Sequence, residues 1–520
     1  MALSESISKQ EKVFIFVIIA LAVFGYFYNL GISPFLLEEP RRGLIAFEMI
    51  LNDNYWVPTV MGDYYYKKPP VFNWLIVLSY KVFGYHEIAQ RVVSILSHFG
   101  LSIIIYLFVK NRGGIRIAIF SALGYALGVE FLFYYSLLGE IDLFYAFVTS
   151  SSIFAIIHFG DKKQYWSLFI IVYCLTAMGF LTKGITSLPY TAISLLVYFI
   201  HKKEFKVLLG IKHVTGIILL FFLLGGFFWK YSQYAPVEEW ANTLFSESAD
   251  KATDGGLIEF IKHFLSFPFV ALAIVFPATV FLIPWIKGKR YRKFKESPLA
   301  YLCLLIFAFN FLIYWVSIGA QTRYIYPLLP FLIIFLTAAP GESSEREGSI
   351  RVVTQSVYGI TLIALIGVFF VPNLDSVKNL NASIAVLMLA TLSLGFLYKR
   401  LKLNNYLVIL MCLVILKIGF SSIMPVVRAY DSGSAADKRR ALKMAELTKG
   451  ESIYRYNGII IDLKSSFYIE RDKQELLLSD NSFEKEYYLI RESDLPSNFA
   501  YESLMEWDHH GEQFFLIRML

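Results

Sequence analysis

Apolar segments long enough to cross a bilayer recur along most of this chain, and they constrain its fold more than any other feature. A helix that crosses the hydrocarbon core needs about 20 predominantly apolar residues, and by this measure we expect about thirteen transmembrane helices. We place them at 13–30, 88–109, 115–135, 143–160, 165–181, 184–200, 214–232, 263–286, 299–317, 323–340, 351–371, 381–398 and 405–425. Only 17% of the 520 residues are charged, whereas a soluble domain usually carries about 25%. The sequence therefore predicts an all-α polytopic membrane domain over residues 1–425.

Lysine and arginine residues concentrate in alternate connections between these segments. Short loops rich in Lys and Arg remain on the cytoplasmic side of a membrane. The basic connections are 110–116, 162–163, 202–212, 287–295 and 399–402. We therefore expect a cytoplasmic N-terminus, with the first loop and the C-terminal region on the extracytoplasmic side. The net charge of +7 largely reflects this bias and gives no reason to expect a nucleic acid partner.

The pattern of apolar runs changes near residue 426. The runs become short, as at 452–456, 466–469 and 487–490, and runs of this length do not cross a bilayer. Residues 435–447 have the pattern of an amphipathic helix with charged residues on one side. We therefore expect residues 426–520 to form a small soluble α/β domain outside the membrane.

An acidic pair, Glu38 and Glu39, lies in the first extracytoplasmic loop, residues 31–87. Prolines flank the pair and restrict its backbone, and Arg41 follows it. A carboxylate held near a bilayer can act as a general base towards a hydroxyl or an amine. The other interpretation is that both carboxylates are simply solvated, as loop acids usually are.

A lysine pair, Lys67 and Lys68, occurs later in the same loop, between three tyrosines and two prolines. An ammonium group is a strong partner for phosphate, although both lysines also suit simple anchoring at the membrane surface. The apolar segment at 71–84 follows, and it is expected to lie at the interface because it is too short to cross.

Polar or charged side chains occur at three further sites, each at the outer end of an apolar segment. Glu140 and Asp142 have the spacing of carboxylates that hold a divalent cation, or Asp142 simply caps a helix. Lys183 separates two apolar runs and either faces the site or extends to the surface. Arg323 and Tyr324 begin a later segment, where the arginine either binds phosphate or anchors the helix.

The sequence contains no signature of a bound cofactor. Its three cysteines all fall within apolar runs, and they lack the spacing of a metal site or a disulfide framework. We expect either no cofactor or a divalent cation, with Glu140 and Asp142 as the candidate ligands.

The order of these motifs resembles that of the GT-C glycosyltransferases. An acidic pair with Arg follows the first span, a Lys-Pro motif lies in the same loop, and acids begin a middle span. Thr-Lys-Gly comes next, and Arg-Tyr-x-x-Pro-x-x-Pro opens a later span. The most similar groups are the lipid A aminoarabinose transferases and the bacterial protein O-mannosyltransferase superfamily. The resemblance covers residues 13–340 by motif.

This resemblance implies an inverting transferase in a bacterial inner membrane, with the site and the C-terminal domain extracytoplasmic. The enzyme would move a sugar from a polyprenyl phosphate to a lipid A-like lipid or a protein hydroxyl. By position, Glu38 matches the catalytic Asp of the family, with Glu39 beside it. Arg41 matches the Arg that follows the acids, and Lys68 matches the Lys of the Lys-Pro motif, which binds the donor phosphate in the family. Asp142, with Glu140, matches a second acidic site, and Arg323 matches a basic position near the lipid phosphate. Lys67 and Arg41 are further candidates for binding the donor phosphate.

One departure from the family leaves a choice open. This chain has Glu38 where Asp is usual, and misplacement of a catalytic group by an ångström can cost about 100-fold in rate. Either the pocket has adjusted or Glu39 is the working acid, and we favour Glu38.

The alternative function is a transporter or flippase of lipid-linked sugars. Transporters of this kind carry polar residues at mid-membrane, whereas ionisable residues here are expected to avoid the centres of spans and to gather at one face. An oligosaccharyltransferase is disfavoured because its Trp-Trp-Asp-Tyr-Gly type signature is absent, and a scaffold would leave the outer lysines unexplained. The sugar, the acceptor and the oligomeric state remain open.

Overall fold

The computed structural model describes residues 7–253, 256–287, 295–338, 343–371, 374, 377–448, 450–509 and 511–520. The helices before the C-terminal region are α1 (Lys9–Phe27), α2 (Glu39–Leu51), α3 (Val71–Phe83), α4 (Glu87–Gly113), α5 (Ile115–Ala126), α6 (Ile141–Asp161), α7 (Tyr165–Lys183), α8 (Ser187–His201), α9 (Ile211–Tyr231), α10 (Val237–Thr253), α11 (Leu257–Ile274), α12 (Leu282–Lys287), α13 (Pro298–Trp315), α14 (Leu329–Thr337), α15 (Ser343–Gly367), α16 (Leu380–Leu401) and α17 (Asn405–Asp431). A π-helical turn at Glu130–Tyr134 follows α5, and a 3-10 helix at Thr322–Leu328 precedes α14.

Ten helical segments of the described chain are long and apolar enough to cross a membrane, or eleven with the bent pair Ile115–Ala126 and Glu130–Leu137. One of the ten, Tyr165–His201, combines α7 and α8 over 37 residues. A straight helix of that length would extend for about 55 Å, yet the rings of Tyr165 and Phe199 lie 6.1 Å apart. The segment is therefore a hairpin of two antiparallel helices. The chain is a multi-pass membrane protein, and the count of about thirteen crossings stays a prediction.

The first loop folds into a compact layer of α2, a two-stranded hairpin and α3. The hairpin pairs β1 (Thr59–Val60) with β2 (Asp63–Tyr64) in antiparallel register. Helix α2 begins directly after Glu38, and Pro40 lies in its first turn, where a missing N–H costs nothing. The predicted short helix at 71–84 corresponds to α3.

The C-terminal region contains the small mixed α/β fold that the sequence predicts. Its elements are α18 (Gly433–Leu447), β3 (Ile453–Arg455), α19 (Leu463–Lys473), β4 (Tyr487–Arg491), β5 (Tyr501–His509) and β6 (Glu512–Met519). The strand order is β3-β4-β6-β5, with β3 and β4 parallel and the other pairs antiparallel. Helix α17 continues to Asp431, beyond the predicted boundary at 425.

The first loop and the C-terminal domain share one hydrophobic core. The Phe467 ring of α19 lies 4.8 Å from Phe35, 6.2 Å from Phe47 and 6.4 Å from Tyr80. Phe35, Phe47, Tyr80 and Phe467 are all essentially inaccessible to solvent. This core fixes α2, and with it the acidic pair, against the C-terminal domain.

Candidate active site

Glu39 is fully buried and both of its carboxylate oxygens are occupied. Arg91 of α4 binds it bidentately, with Nε to Oε1 at 2.8 Å and Nη2 to Oε2 at 2.9 Å. The backbone N–H groups of Gly139 and Leu36 also donate to the carboxylate, at 2.6 and 2.9 Å. These bonds tie together the first loop, α4 and the turn before α6, so Glu39 is engaged as a structural anchor.

Glu38 has the opposite surroundings. It is the residue before the first turn of α2, its side chain is 39% exposed, and it forms an ion pair with the half-buried Arg41. The preceding residue, Leu37, has a φ of +53°, a left-handed conformation that costs a non-glycine residue about 1–2 kcal/mol. This turn directs Glu38 into a cavity.

The cavity has a volume of about 700 Å³ and combines charged, aromatic and apolar walls. Glu38, Glu140 and Glu130 supply carboxylates, and Arg323 supplies a guanidinium. The remaining lining residues are Leu37, Tyr134, Tyr135, Leu138, Phe267, Val270, Ala320, Gln321, Thr322 and Tyr326. Such a mixture suits a ligand with a polar head and an apolar tail.

Glu140 contacts the backbone of the acidic pair. The N–H of Glu38 donates to its Oε1 at 3.2 Å, and only 4% of the residue is exposed. Burial, followed by the negative charges of Asp142 and Glu39, raises the pKa of Glu140 to about 8. The carboxyl group is therefore mainly protonated at neutral pH, and it can donate a hydrogen bond to a ligand in the cavity.

Asp142 and Lys183 form a buried ion pair beside this carboxyl group. The Nζ of Lys183 lies 2.5 Å from Oδ1 of Asp142, and their side chains are 8% and 1% exposed. The ammonium also lies over the rings of Tyr145 and Tyr324, at 5.2 and 5.1 Å from their centroids. In the described part of the chain, no group of three or more His, Cys, Asp or Glu side chains is placed to hold a metal ion.

Of the other predicted phosphate ligands, Arg323 lines the cavity, whereas Lys67 and Lys68 do not. The carbonyl group of Tyr324, the neighbour of Arg323, accepts a hydrogen bond from the Tyr190 hydroxyl. Lys67 is exposed and Lys68 is half-buried, with Lys68 Nζ donating to the Lys67 carbonyl at 3.1 Å. Neither lysine belongs to the cavity lining.

Two ionisable residues near the cavity were not predicted from the sequence. Glu130 lines the cavity from the π-helical turn and accepts a hydrogen bond from Tyr326 at 2.7 Å. Lys417 of α17 is fully buried, and its Nζ donates to Ser136 Oγ at 2.7 Å. The expectation that ionisable residues avoid the centres of spans is therefore wrong at Lys417. A charged residue inside an apolar segment is itself a signal of function. Glu130 and Lys417 both lie inside apolar segments, so this signal could have identified them.

Comparisons with known proteins identify the fold. Residues 67–229 match the family model described as dolichyl-phosphate-mannose-protein mannosyltransferase. The structure superimposes on ArnT from Cupriavidus metallidurans with a TM-score of 0.71 in the apo state, at 15% identity over 98% of both chains. The form bound to undecaprenyl phosphate gives 0.70 at 17% identity, over 97% of this chain and 98% of that one. This chain has the GT-C fold.

A relative of this chain comes from Pseudomonas fluorescens (strain Pf0-1). It is the undecaprenyl phosphate-alpha-4-amino-4-deoxy-L-arabinose arabinosyl transferase 1, 25% identical over 370 residues. The alignment covers 66% of this chain and 62% of the relative. The chain thus spans somewhat less than two thirds of that transferase.

Three carboxylates of the candidate site are paired with basic side chains. Glu38 pairs with Arg41, Glu39 with Arg91 and Asp142 with Lys183. The pair of Glu38 and Arg41 is the most exposed of the three, so its carboxylate is the one that a ligand can reach at the least cost in broken bonds.

Proposed function

We propose that this chain transfers a sugar from a polyprenyl phosphate to an acceptor outside the cytoplasm, with Glu38 as the catalytic base. The observation that carries the proposal is that Glu38 and Arg323 open into one cavity with apolar walls. The solved ArnT structure bound to undecaprenyl phosphate and the arabinosyl transferase relative support a polyprenyl-phosphate donor.

In the proposed reaction, Glu38 accepts the proton of the acceptor hydroxyl or amine. The acceptor oxygen or nitrogen then forms a bond to C1 of the sugar from the face opposite the phosphate. The bond between C1 and the phosphate oxygen breaks, and the polyprenyl phosphate leaves with the electron pair. The configuration at C1 is inverted. A base in hydrogen-bond reach of the nucleophile typically contributes 10²–10⁴-fold in rate.

Positive charge around the leaving group carries much of the catalysis in this proposal. Negative charge develops on the departing phosphate, and fixed cationic groups stabilise it in a site of low dielectric. Arg323 supplies this charge from the cavity wall, and we assign Arg41, Lys67 and Lys68 of the first loop to the same phosphate. Glu140 and the pair of Asp142 and Lys183 shape the acidic side of the site.

The side of the membrane follows from the distribution of Lys and Arg. We propose that the protein lies in a bacterial inner membrane with its N-terminus in the cytoplasm and its site outside. Nucleotide sugars are on the cytoplasmic side, so a site on the opposite face requires a lipid-linked donor. The acceptor is a lipid A-like lipid or a protein hydroxyl.

Mass spectrometry of lipid A and glycoproteins tests the proposal in cells that carry the wild-type protein, no copy, or a single variant. We expect Glu38→Gln and Lys68→Ala each to abolish one sugar modification while the protein remains folded in the membrane. Glu484→Gln, which makes the same change at an exposed carboxylate, is the matched control and should transfer normally.

Full transfer by both variants would refute the assignment of the site. Unchanged glycans in cells without the protein, together with a changed distribution of the carrier lipid between the two leaflets, would support a flippase instead.

A further inference from the structure

The segment that leads to Glu38 is held from the membrane domain by a single arginine. Arg91 of α4 donates to the carbonyl oxygens of Leu30 at 2.7 Å, Ser33 at 2.9 Å and Pro34 at 2.9 Å. The same guanidinium binds Glu39. These bonds fix one side of the segment.

A tyrosine of the C-terminal domain holds the other side of this segment. The hydroxyl of Tyr468, in α19, accepts the backbone N–H of Phe35 at 3.2 Å and donates to Glu87 Oε1 at 2.7 Å. Lys438 of α18 donates to the same oxygen at 2.6 Å. Tyr468 is fully buried and Glu87 is only 3% exposed, so solvent does not replace these bonds when they are lost.

Both sets of hydrogen bonds involve residues of α4. Glu87 and Arg91 are four residues apart and lie on the same face of the helix. The ring of Phe35 also packs 4.8 Å from Phe467 and 6.2 Å from Tyr468. Leu37, with its left-handed backbone, is the only residue between the held segment at 30–36 and Glu38. A strained residue keeps such a conformation only where its surroundings impose it.

We propose that Tyr468 is a positioning residue for Glu38, so that the C-terminal domain holds the catalytic loop in its reactive geometry. Through its bonds to Phe35 and Glu87, it fixes the turn at Leu37 that directs Glu38 into the cavity. Lys438 supports it by holding Glu87. This inference rests on the proposed function, because it assigns a geometric role towards the proposed base.

The test separates turnover from donor binding. Tyr468→Phe keeps the ring and removes only the hydroxyl. Misplacement of a catalytic group by about 1 Å can lower the rate by about 100-fold, and the loss of one hydroxyl should shift the loop by less than that. We therefore expect transfer to fall by about tenfold, measured by mass spectrometry in cells that carry the variant as their only copy. Undecaprenyl phosphate should bind to the purified variant in nanodiscs with unchanged affinity, because Tyr468 is fully buried and its hydroxyl is bonded to Phe35 and Glu87.

Two controls keep the test specific. Tyr454→Phe makes the same change on β3 of the same domain, at a half-buried tyrosine that packs against Tyr488, and it should transfer normally. Lys438→Arg keeps a donor for Glu87 and should retain most of the activity, whereas Lys438→Met should lose activity as Tyr468→Phe does.

Normal transfer by Tyr468→Phe would overturn the inference, and so would an equal loss of transfer and of undecaprenyl phosphate binding. Neither outcome contradicts the proposed function, which fails separately if Glu38→Gln and Lys68→Ala both transfer normally.

Discussion

Glu38 and Glu39 are adjacent in sequence, but their surroundings differ so strongly that substitution separates their roles. Glu39→Gln leaves the buried Arg91 guanidinium without its counter-charge, and breaking a buried pair in this way costs about 3–5 kcal/mol. Glu38→Gln removes a half-exposed pair with Arg41, which is worth about 0–1 kcal/mol. We expect Glu39→Gln to lower the midpoint of thermal unfolding of the purified protein markedly and Glu38→Gln to leave it nearly unchanged.

Transfer assays on the same two variants complete this prediction. Glu38→Gln should be folded and inactive. A Glu39→Gln protein with wild-type stability would show that the pair with Arg91 is not structural and would return Glu39 to the list of candidate bases.

The sequence identified both acids but not the difference between them. Both carboxylates lie between Pro34 and Pro40, so the local sequence pattern does not distinguish their roles. The partner that distinguishes Glu39 is Arg91, 52 residues further along the chain. Only the packing of the first loop on α4 brings these groups together.

Among the helices, the turn between α7 and α8 depends on one glycine. Gly184 has a φ of +76° and a ψ of −147°, a conformation that is almost restricted to glycine and costs a residue with a side chain about 1–3 kcal/mol. An added Cβ would also lie 2.8 Å from the Cδ1 atom of Leu244, whose side chain is able to move. We expect Gly184→Ala to destabilise the protein by about 1–3 kcal/mol and to lower transfer, because the turn carries Lys183.

Thermal unfolding and the transfer assay check this prediction together. Gly225→Ala, in the middle of α9, is the control because an added Cβ there meets nothing within 4 Å. Equal unfolding midpoints for the two alanine variants would contradict the role assigned to Gly184.

Helices were predictable where apolar length alone decides them, and less so where tertiary contacts interrupt a run. The break between the runs at 165–181 and 184–200 is confirmed at Gly184. The predicted span at 115–135 is instead bent by 45° after Ala126, where the N–H of Val129 donates to the carbonyl of Phe276 at 3.0 Å. The span predicted at 263–286 is also interrupted, because α11 ends at Ile274. Pro277 follows three residues later, and the residue before a proline is disfavoured in the α-helical conformation.

At the scale of the whole molecule, the sequence predicted two domains but not the core that joins them. The division between a helical membrane part and a small α/β part is visible as a change in the length of apolar runs. The shared core unites Phe35 and Phe47 with Phe467, residues that are more than 400 positions apart. Pairings at that separation leave no periodic signal in a single sequence.

Arg455 of the C-terminal domain is hydrogen-bonded to the β1–β2 hairpin of the first loop. We expect its removal to destabilise both regions. The guanidinium is 1% exposed and donates to the Met61 carbonyl at 2.7 Å and to Asp63 Oδ2 at 2.9 Å. It also donates to the carbonyls of Leu477, Gly458 and Ile459 within its own domain. Arg455→Met removes the donor from the buried carbonyls of Met61, Leu477 and Ile459, and an unpaired buried acceptor costs about 1–3 kcal/mol. We therefore expect a marked loss of stability and faster proteolysis in both the β1–β2 hairpin and the C-terminal domain.

The matched control for this last prediction is Arg518→Met in the same domain. Arg518 pairs with Glu486 at 2.8 Å, but the two side chains are 48% and 34% exposed, and such a pair is worth about 0–1 kcal/mol. Limited proteolysis of the two variants, with cleavage sites mapped by mass spectrometry, distinguishes the outcomes. Faster cleavage confined to the C-terminal domain of Arg455→Met would mean that the hairpin is held by the membrane domain alone. Cleavage in both regions is expected because the arginine supplies hydrogen bonds to each of them.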